Sequence, residues 1–196
     1  MGIDPNDGDG LDRRDMERLC GGHDAALNDL MERHAPRLFH YLIRQLQDES
    51  DAEDAAQETF VRVFQHRQKF DPRQRFSPWL YTIATNLARN RQRARARHPQ
   101  VSLEAENPHT GGELKDALAA AGPNPVEQLA GAERAAAVRA AIAQLPSDLR
   151  TVILLFEYEE KSQQEIAAIF GCTPKAVEMR LYHARQQLRE RLARWL

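Results

Sequence analysis

Length, composition and charge exclude several classes of protein. The chain has 196 residues, of which 42% are hydrophobic and 7% aromatic, and a formal net charge of −2. No run of apolar residues approaches the roughly 18–20 that a membrane-spanning helix needs. The first fifteen residues are acidic and polar, so we expect neither a secretory signal nor a transit peptide. Abundant Ala and Leu favour helices, and we expect an all-α protein of one or two domains.

The cysteine and histidine content gives no indication of a cofactor. Cys20 and Cys172 are far apart in the sequence and do not suggest a disulfide framework. Cys20 and His23 have the spacing of metal ligands, but a closed site needs about four ligands and no convincing second pair accompanies them. We therefore expect two reduced thiols in a cytoplasmic protein, with no metal and no cofactor.

Charged residues are segregated along the chain despite the small net charge. Residues 48–58 carry six acids and no base, whereas residues 72–103 contain no Asp or Glu. Residues 104–133 again carry six acids with Lys115 as the one base, and the chain from residue 173 onward is basic. Such blocks indicate several distinct partner surfaces, although a charge run can also be the solvated face of a helix.

The N-terminal half is predicted to be helical. A first helix has apolar residues at a helical period, and Pro36 is expected to interrupt or bend it. These apolar residues are Leu27, Leu30, Met31, Leu38, Leu42 and Leu46. Ser50 and Glu53 have the spacing of a capping box, which predicts the start of a second helix. The second helix is predicted to bury Ala52, Ala56, Phe60, Val63 and Phe64.

A basic third helix is predicted after a loop at residues 70–76. Ser77 and Pro78 are typical of an N-cap followed by proline at the first helical position, and the helix can continue to Arg97. One of its faces combines an aromatic residue with amides and arginines: Trp79, Thr82, Asn86, Arg89, Asn90 and Arg93. Unpaired bases stack on aromatic side chains while arginines hold the backbone. This face therefore suggests a site for melted DNA, with the loop as a pocket for a flipped base; alternatively, its aromatic residues belong to the core, with Tyr81 the first candidate.

Breaker residues divide the chain into two small helical domains joined by a flexible acidic linker. We predict a disordered tail at residues 1–11 and a first domain at residues 12–97. The linker is predicted at residues 98–125, with a short helix at residues 113–121. The second domain is predicted at residues 126–196.

The second domain contains the pattern of a helix-turn-helix. Ser162 and Glu165 form a capping box before a short helix, and Gly171 can adopt the positive φ of a tight turn. Thr173 can cap the next helix and Pro174 can open it. The second helix would face inward with Val177, Leu181, Ala184 and Leu188. Its outer face, rich in polar and basic groups, can lie in a DNA major groove; the alternative is a helical hairpin with a solvated face.

Three segments resemble the bacterial RNA polymerase sigma factors of the extracytoplasmic-function (ECF) group. The stretch DAEDAAQETFVRVF resembles the region-two helix that docks on the clamp helices of the polymerase β′ subunit, and FSPWLYTIATNLARN resembles the part that melts and reads the −10 element. The stretch LPSDLRTVILLFEYEEKSQQEIAAIFGCTPKAVEMRLYHARQQL resembles region four, which reads the −35 element. The acidic linker is similar to that of envelope-stress, sigma-E-like members.

The resemblance implies an alternative sigma factor, not an enzyme, that binds core polymerase and promoter DNA and is held inactive by an anti-sigma factor. Polymerase contacts would involve the β′ clamp helices and the β flap, and the free protein would be a cytoplasmic monomer. The residues implied at the polymerase are Asp51, Glu53, Asp54, Gln57, Glu58, Phe60 and Phe64. The residues implied at the melted −10 element are Phe70, Arg73, Arg75, Phe76, Ser77, Trp79, Asn86, Arg89, Asn90 and Arg93. The residues implied at the −35 duplex are Thr173, Lys175, Ala176, Glu178, Met179, Arg180, Tyr182, His183 and Arg185.

The recognition helix departs from common family patterns. Glu178 stands where many members have Arg or Lys, and His183 replaces another frequent base. Glutamate can accept a hydrogen bond from cytosine N4 whereas arginine favours guanine, so the −35 sequence read here is expected to differ.

Two other classes of protein remain as alternatives. A helix-turn-helix repressor would need a dimer interface for a palindromic site, but would not need the Trp–Asn–Arg face. An enzyme would need a phosphate loop, a metal cluster or a nucleophile with its base, and the sequence shows no such constellation.

Overall fold

The computed structural model describes residues 8–97 and 125–195, and the regular secondary structure there is entirely helical, which confirms the all-α prediction. The α-helices are α1 (Gly8–Cys20), α2 (Ala26–Leu46), α3 (Glu49–His66), α4 (Phe76–Arg97), α5 (Pro125–Ala143), α6 (Ser147–Ile153), α7 (Gln163–Phe170) and α8 (Pro174–Arg191). A π-helical turn at Leu154–Tyr158 extends α6, and 3-10 turns lie at Arg67–Lys69 and Ala193–Trp195. None of the described helices is long and apolar enough to span a membrane.

Helix α1 begins at Gly8, within the stretch predicted to be a disordered tail. Asp12 and Asp15 are only 3% and 1% exposed, and carboxylates are rarely buried without partners. Arg33 of α2 donates from Nε to Asp12 at 3.0 Å and from Nη2 to Asp15 at 2.7 Å. His34 Nε2 also lies 2.8 Å from an Asp12 carboxylate oxygen. These pairs hold α1 against α2, so the tail prediction is wrong for residues 8–11.

Helix α2 runs without interruption from Ala26 to Leu46, although Pro36 lies inside it. An internal proline costs about 3 kcal/mol because it removes a backbone hydrogen bond and crowds the preceding turn. Leu30 before the proline and Leu38 and Tyr41 after it are fully buried and anchor both sides of the proline in one core. The prediction of an interruption is therefore wrong, since tertiary packing outweighs the local cost.

The starts of α3 and α4 differ from the predicted ones. Asp48, rather than Ser50, caps α3, and its carboxylate accepts a hydrogen bond from the backbone N–H of Asp51 at 2.8 Å. A carboxylate caps as well as a hydroxyl and also complements the positive end of the helix dipole. Helix α4 begins at Phe76, before the predicted N-cap Ser77. The helix thus starts two residues before Pro78, the predicted first helical position, and Phe76 is 1% exposed in the core.

The C-terminal half packs α6 and α8 around a compact apolar centre, with α7 beside α8. Its fully or nearly fully buried residues include Val152, Ile153, Leu154, Leu155, Ile166, Val177, Leu181 and Ala184. Three of the four residues predicted to face inward from α8 are in this set, and Leu188 packs against it with partial exposure. The predicted short linker helix at residues 113–121 lies outside the described residues.

The two halves of the molecule pack against each other, with α4 against α7 and α2 against the π-helical turn. The backbone carbonyl of Gln45 in α2 accepts hydrogen bonds from Arg150 Nη1 at 2.9 Å and from Gln92 Nε2 at 3.0 Å. The Ser147 hydroxyl at the start of α6 donates to the side chain of Gln92. The prediction of a flexible linker gave no reason to expect that the two halves pack together. Arg150 and Gln45, which join them, are 105 positions apart in the chain.

Candidate nucleic-acid interface

The predicted helix-turn-helix is formed by α7 and α8, and its caps are those expected. The Ser162 hydroxyl accepts from the Glu165 backbone N–H at 3.2 Å, while the Glu165 carboxylate accepts from the Ser162 backbone N–H at 2.8 Å. Gly171 has φ +63°, and the Thr173 hydroxyl accepts from the Ala176 N–H at 3.2 Å. Burial opposes ionisation of Glu165, but the Ser162 hydrogen bonds and nearby cations prevail and lower its pKa. The two helices are therefore held at a defined angle by local contacts.

The outer face of α8 is open to solvent. Met179 is 44% exposed and Tyr182 is 61% exposed, which leaves two large apolar surfaces on a helix that is otherwise polar. The Lys175 ammonium donates to both carboxylate oxygens of Glu178, at 2.8 and 2.9 Å. Glu178 therefore forms an intrahelical ion pair on this face, with a side chain that is 52% exposed.

Two arginines at the flanks of α8 are held by contacts within the C-terminal half. Arg180 lies over the ring of Phe170, 5.4 Å from its centroid, and its Nη1 lies 3.4 Å from the Cys172 sulfur. Arg185 pairs with Glu157 at 2.9 Å. Both cations are therefore held beside the exposed face of α8.

The loop before α4 and the first turn of α4 form an aromatic cluster. Trp79 is half-buried and packs against Phe70 and Phe76, with ring centroids 5.2 and 6.1 Å apart. Phe70 is 7% exposed and Phe76 is 1% exposed. These two phenylalanines, predicted at the DNA, lie in the core in this structure and support Trp79 from behind. Tyr81 is also buried, as expected of a core aromatic.

The basic face of α4 is partly open and partly covered. Asn86, Asn90 and Arg93 are exposed, as predicted for a nucleic-acid surface. Arg89 lies over the ring of Phe170 in α7, 4.2 Å from its centroid. Arg75 pairs with Glu165 of α7 at 2.8 Å and with Asp9 of α1 at 2.6 Å. The middle of α4, at Arg89, and the loop before it, at Arg75, are thus engaged by the C-terminal half.

The acidic face of α3 is the third surface. The Asp54 side chain is 65% exposed, and Glu53 and Gln57 are also exposed. Glu58 pairs with Arg62 of the same helix at 2.8 Å. The remaining predicted residues are less available: Asp51 pairs with Arg91 and Arg95 of α4, Phe64 is half-buried and Phe60 is 3% exposed. Phe60 therefore supports this face from the core and does not form part of its surface.

Comparison with known proteins identifies the family of the chain. Family models described as Sigma-70 region 2 and Sigma-70, region 4 match residues 30–98 and 135–188. The chain is 33% identical over 177 residues to the ECF RNA polymerase sigma-E factor of Escherichia coli, covering 88% of this chain and 90% of that relative. The chain belongs to the ECF family of RNA polymerase sigma factors.

Two further proteins similar to this sigma factor are a longer sequence relative and a chain in a solved complex. The ECF RNA polymerase sigma factor SigE of Mycolicibacterium smegmatis is 34% identical over 167 residues, covering 85% of this chain. The chain spans only 62% of the length of that relative. Among solved structures, a chain in the structure of CnrH in complex with the cytosolic domain of CnrY matches with a TM-score of 0.67 and 26% identity, covering 93% of this sigma factor and 97% of that chain.

One surface residue of the sigma factor was missed by sequence reasoning. Val61 is 47% exposed and lies on α3 at helical spacing from Asp54, Gln57 and Glu58. Positions 54, 57, 58 and 61 of a helix share one face, so the stripe ends in an exposed apolar side chain. The spacing of Val61 from Asp54, Gln57 and Glu58 is the signal that could have identified it.

The two cysteines of the sigma factor occupy different environments. Cys20 Sγ donates to the carbonyl oxygen of Arg67 at 3.1 Å, and burial raises its pKa although the Arg67 charge opposes this. A raised pKa reduces the thiolate fraction and hence the reactivity of the thiol. Cys172 is half-buried in the turn between α7 and α8.

Proposed function

We propose that this sigma factor binds core RNA polymerase and directs promoter recognition, DNA melting and transcription initiation. The observation that carries the proposal is the presence of two chemically different nucleic-acid surfaces in one chain, on α4 and on α8. A factor that reads a duplex alone needs only one of them. The proposal places the protein in the cytoplasm with RNA polymerase, as a transcription factor rather than an enzyme.

Helix α8 is proposed to read the −35 duplex in the major groove. Its open face carries Lys175, Glu178, Met179, Tyr182 and His183, and its flanking arginines are suited to phosphate contacts. Thr173 and Ala176 at the start of α8 lie where a recognition helix contacts base edges. Because Glu178 replaces a basic residue common in the family, its base preference is proposed to differ from that of most members.

Helix α4 is proposed to hold the unwound −10 element. Trp79 offers a partly exposed indole for stacking, and Asn86, Asn90 and Arg93 offer hydrogen bonds and charge nearby. In the preceding loop, the Arg73 side chain is 89% exposed beside this surface and pairs with Asp71 at 2.9 Å. Ser77 is partly exposed on the first turn of the same helix.

Helix α3 is proposed to dock on the β′ clamp helices. Asp54, Glu53 and Gln57 give it an acidic, hydrogen-bonding face, which suits a basic partner, and Val61 adds an apolar anchor. An anti-sigma factor is proposed as the third partner, since the structural relative CnrH was solved in complex with the cytosolic domain of CnrY.

Run-off transcription with core polymerase on genomic promoter fragments tests these roles separately. Asp54→Ala is expected to weaken core binding, Asn86→Ala to impair strand opening, and Tyr182→Ala to weaken contact with the −35 duplex. All three side chains are exposed, so the variants should fold. Arg13→Ala, on the exposed side of α1, is the control. Wild-type protein that supports no promoter-specific transcript, or that shifts duplex DNA strongly without core, would contradict the proposal.

A further inference from the structure

A buried carboxylate lies at the contact between the two halves of the molecule. Glu159 is 2% exposed and follows the π-helical turn of the C-terminal half. It accepts a hydrogen bond from the hydroxyl of Tyr81 in α4 and another from Arg37 Nε in α2 at 3.0 Å. Both side-chain partners therefore belong to the other half.

The backbone around Glu159 is irregular. The Glu159 N–H donates to the carbonyl of Leu154, five residues earlier, at 3.1 Å. Glu160 then adopts φ +52°, a left-handed conformation that is unfavourable for a residue with a side chain. π-helical turns and strained residues frequently mark functional positions. The carbonyl of Tyr158 and the carboxylate of Glu160 also accept from Arg37, at 3.0 and 3.1 Å.

The same contact covers part of the proposed DNA surface. Arg89 is occupied by the ring of Phe170, and Arg75 is paired with Glu165. Two of the cations proposed to hold unwound DNA therefore contact α7 while the halves are together; the Arg89 side chain is 20% exposed and the Arg75 side chain 55% exposed.

We infer that Glu159, Tyr81 and Arg37 form a latch, here called the Glu159 latch, that holds the C-terminal half against α4 and inhibits binding of unwound DNA. The contact between the two halves can open reversibly, because separation of the halves returns the Glu159 carboxylate to water. Closure thus depends on its partners, and a Glu159 carboxylate that lost Arg37 would be buried without its ion-pair partner, with Lys161 as the remaining nearby cation. The inhibitory part of this inference depends on the proposed role of α4.

The test compares two charge reversals in the full chain. Arg37→Glu places an acid against Glu159, on an arginine whose side chain is 51% exposed and whose replacement leaves the core intact. Arg62→Glu is the matched control, since the Arg62 side chain is 38% exposed and pairs with Glu58 inside one helix. Tyr81→Phe removes only the hydroxyl of the latch and keeps the ring packed against Tyr41.

Small-angle X-ray scattering measures the conformation, and fluorescence anisotropy with a fluorescein-labelled single-stranded oligothymidine measures accessibility of α4. Arg37→Glu and Tyr81→Phe are expected to increase the radius of gyration, whereas Arg62→Glu keeps the wild-type value. If the open form of the wild type is a minor state of about 10% or less, Arg37→Glu should bind the oligonucleotide roughly tenfold more tightly.

If Arg37→Glu and Tyr81→Phe have the same radius of gyration as the wild type, the Glu159 latch is overturned. Opening without any gain in oligonucleotide binding would overturn its inhibitory role. Neither result decides the proposed function, which is judged separately by promoter-specific transcription with wild-type protein and core polymerase.

Discussion

The hydroxyl of Tyr81 donates a hydrogen bond to the carboxylate of Glu159, a residue 78 positions later in the chain. Tyr81 also packs edge-on against Tyr41, with ring centroids 5.2 Å apart, and Tyr41 in turn hydrogen-bonds Thr85 at 2.9 Å. The core of the N-terminal half is therefore connected directly to the half that carries the helix-turn-helix.

The buried tyrosines predict that alkaline pH destabilises the fold. Burial raises the pKa of Tyr41 and of Tyr81, and for Tyr81 the Glu159 charge raises it further. The unfolded chain releases these protons near pH 10 whereas the folded state retains them, so stability is full below about pH 10 and is lost above it. We expect the free energy of unfolding to fall by up to about 1.4 kcal/mol per pH unit for each tyrosine.

Urea unfolding at a series of alkaline pH values measures this dependence. Tyr41→Phe removes one buried tyrosine hydroxyl and should reduce the dependence of the free energy of unfolding on pH by the contribution of that group. Tyr182→Phe, on a residue that is 61% exposed, should leave this dependence unchanged. Equal slopes for all three proteins would contradict the assignment.

The ion pairs of α1 predict a second difference in stability. Asp12→Asn leaves Arg33 with one fewer charged partner in a site where Asp12 is 3% exposed. Hydrogen bonds to charged groups contribute about 1.5–3 kcal/mol, so we expect a loss in that range. Asp29→Asn removes an exposed pair with Arg18 and should cost at most about 1 kcal/mol. Urea denaturation of both variants measures the comparison, and equal losses would contradict it.

Substitution of glycine by alanine is expected to have opposite effects on stability at Gly171, in the turn of the helix-turn-helix, and at Gly131 in α5. Gly171→Ala has space for the new methyl group, but φ +63° imposes a cost of about 1–2 kcal/mol. Gly131→Ala in α5 also has space, and at a helical position it should stabilise by roughly 0.5–1 kcal/mol. Thermal unfolding followed by circular dichroism measures both. A stabilised Gly171→Ala variant would show that the turn does not need the left-handed conformation.

Sequence reasoning succeeded where the signal was local. The capping box at Ser162, the positive φ at Gly171 and the cap at Thr173 each depend on a few neighbouring residues, and the structure confirms all three. It failed at Pro36 and at Phe76, where tertiary burial outweighs local preference. Boundaries of helices are the least determined by local pattern for the same reason.

The contact between the two halves could not be predicted from spacing. Arg37, Tyr81 and Glu159 come from three distant segments, and only packing brings their side chains together. A charge pattern indicates which surfaces attract a partner, but not whether the partner is another part of the same chain. The pairing of Arg75 with Glu165 illustrates this, because a cation predicted to contact DNA has a carboxylate partner within the protein.

Val61 predicts how α3 contributes to polymerase binding. Full burial of a valine side chain contributes about 1.5–3 kcal/mol, and Val61 is 47% exposed, so Val61→Ser should weaken association with core polymerase roughly three- to tenfold. Met31→Ser, on an exposed methionine of α2, is the matched control and should retain wild-type affinity. Titration of fluorescently labelled protein with core polymerase measures both. Unchanged affinity of Val61→Ser would remove Val61 from the interface.

Permanganate reactivity of thymines in a promoter fragment, with core polymerase present, tests most directly whether one chain holds both duplex and unwound DNA. We predict unpaired, reactive thymines around the −10 element with the wild-type protein. With Asn86→Ala we predict fewer reactive thymines but a retained −35 footprint, and with Tyr182→Ala loss of the −35 footprint. Promoter fragments that stay fully paired with wild-type protein and core would contradict this account.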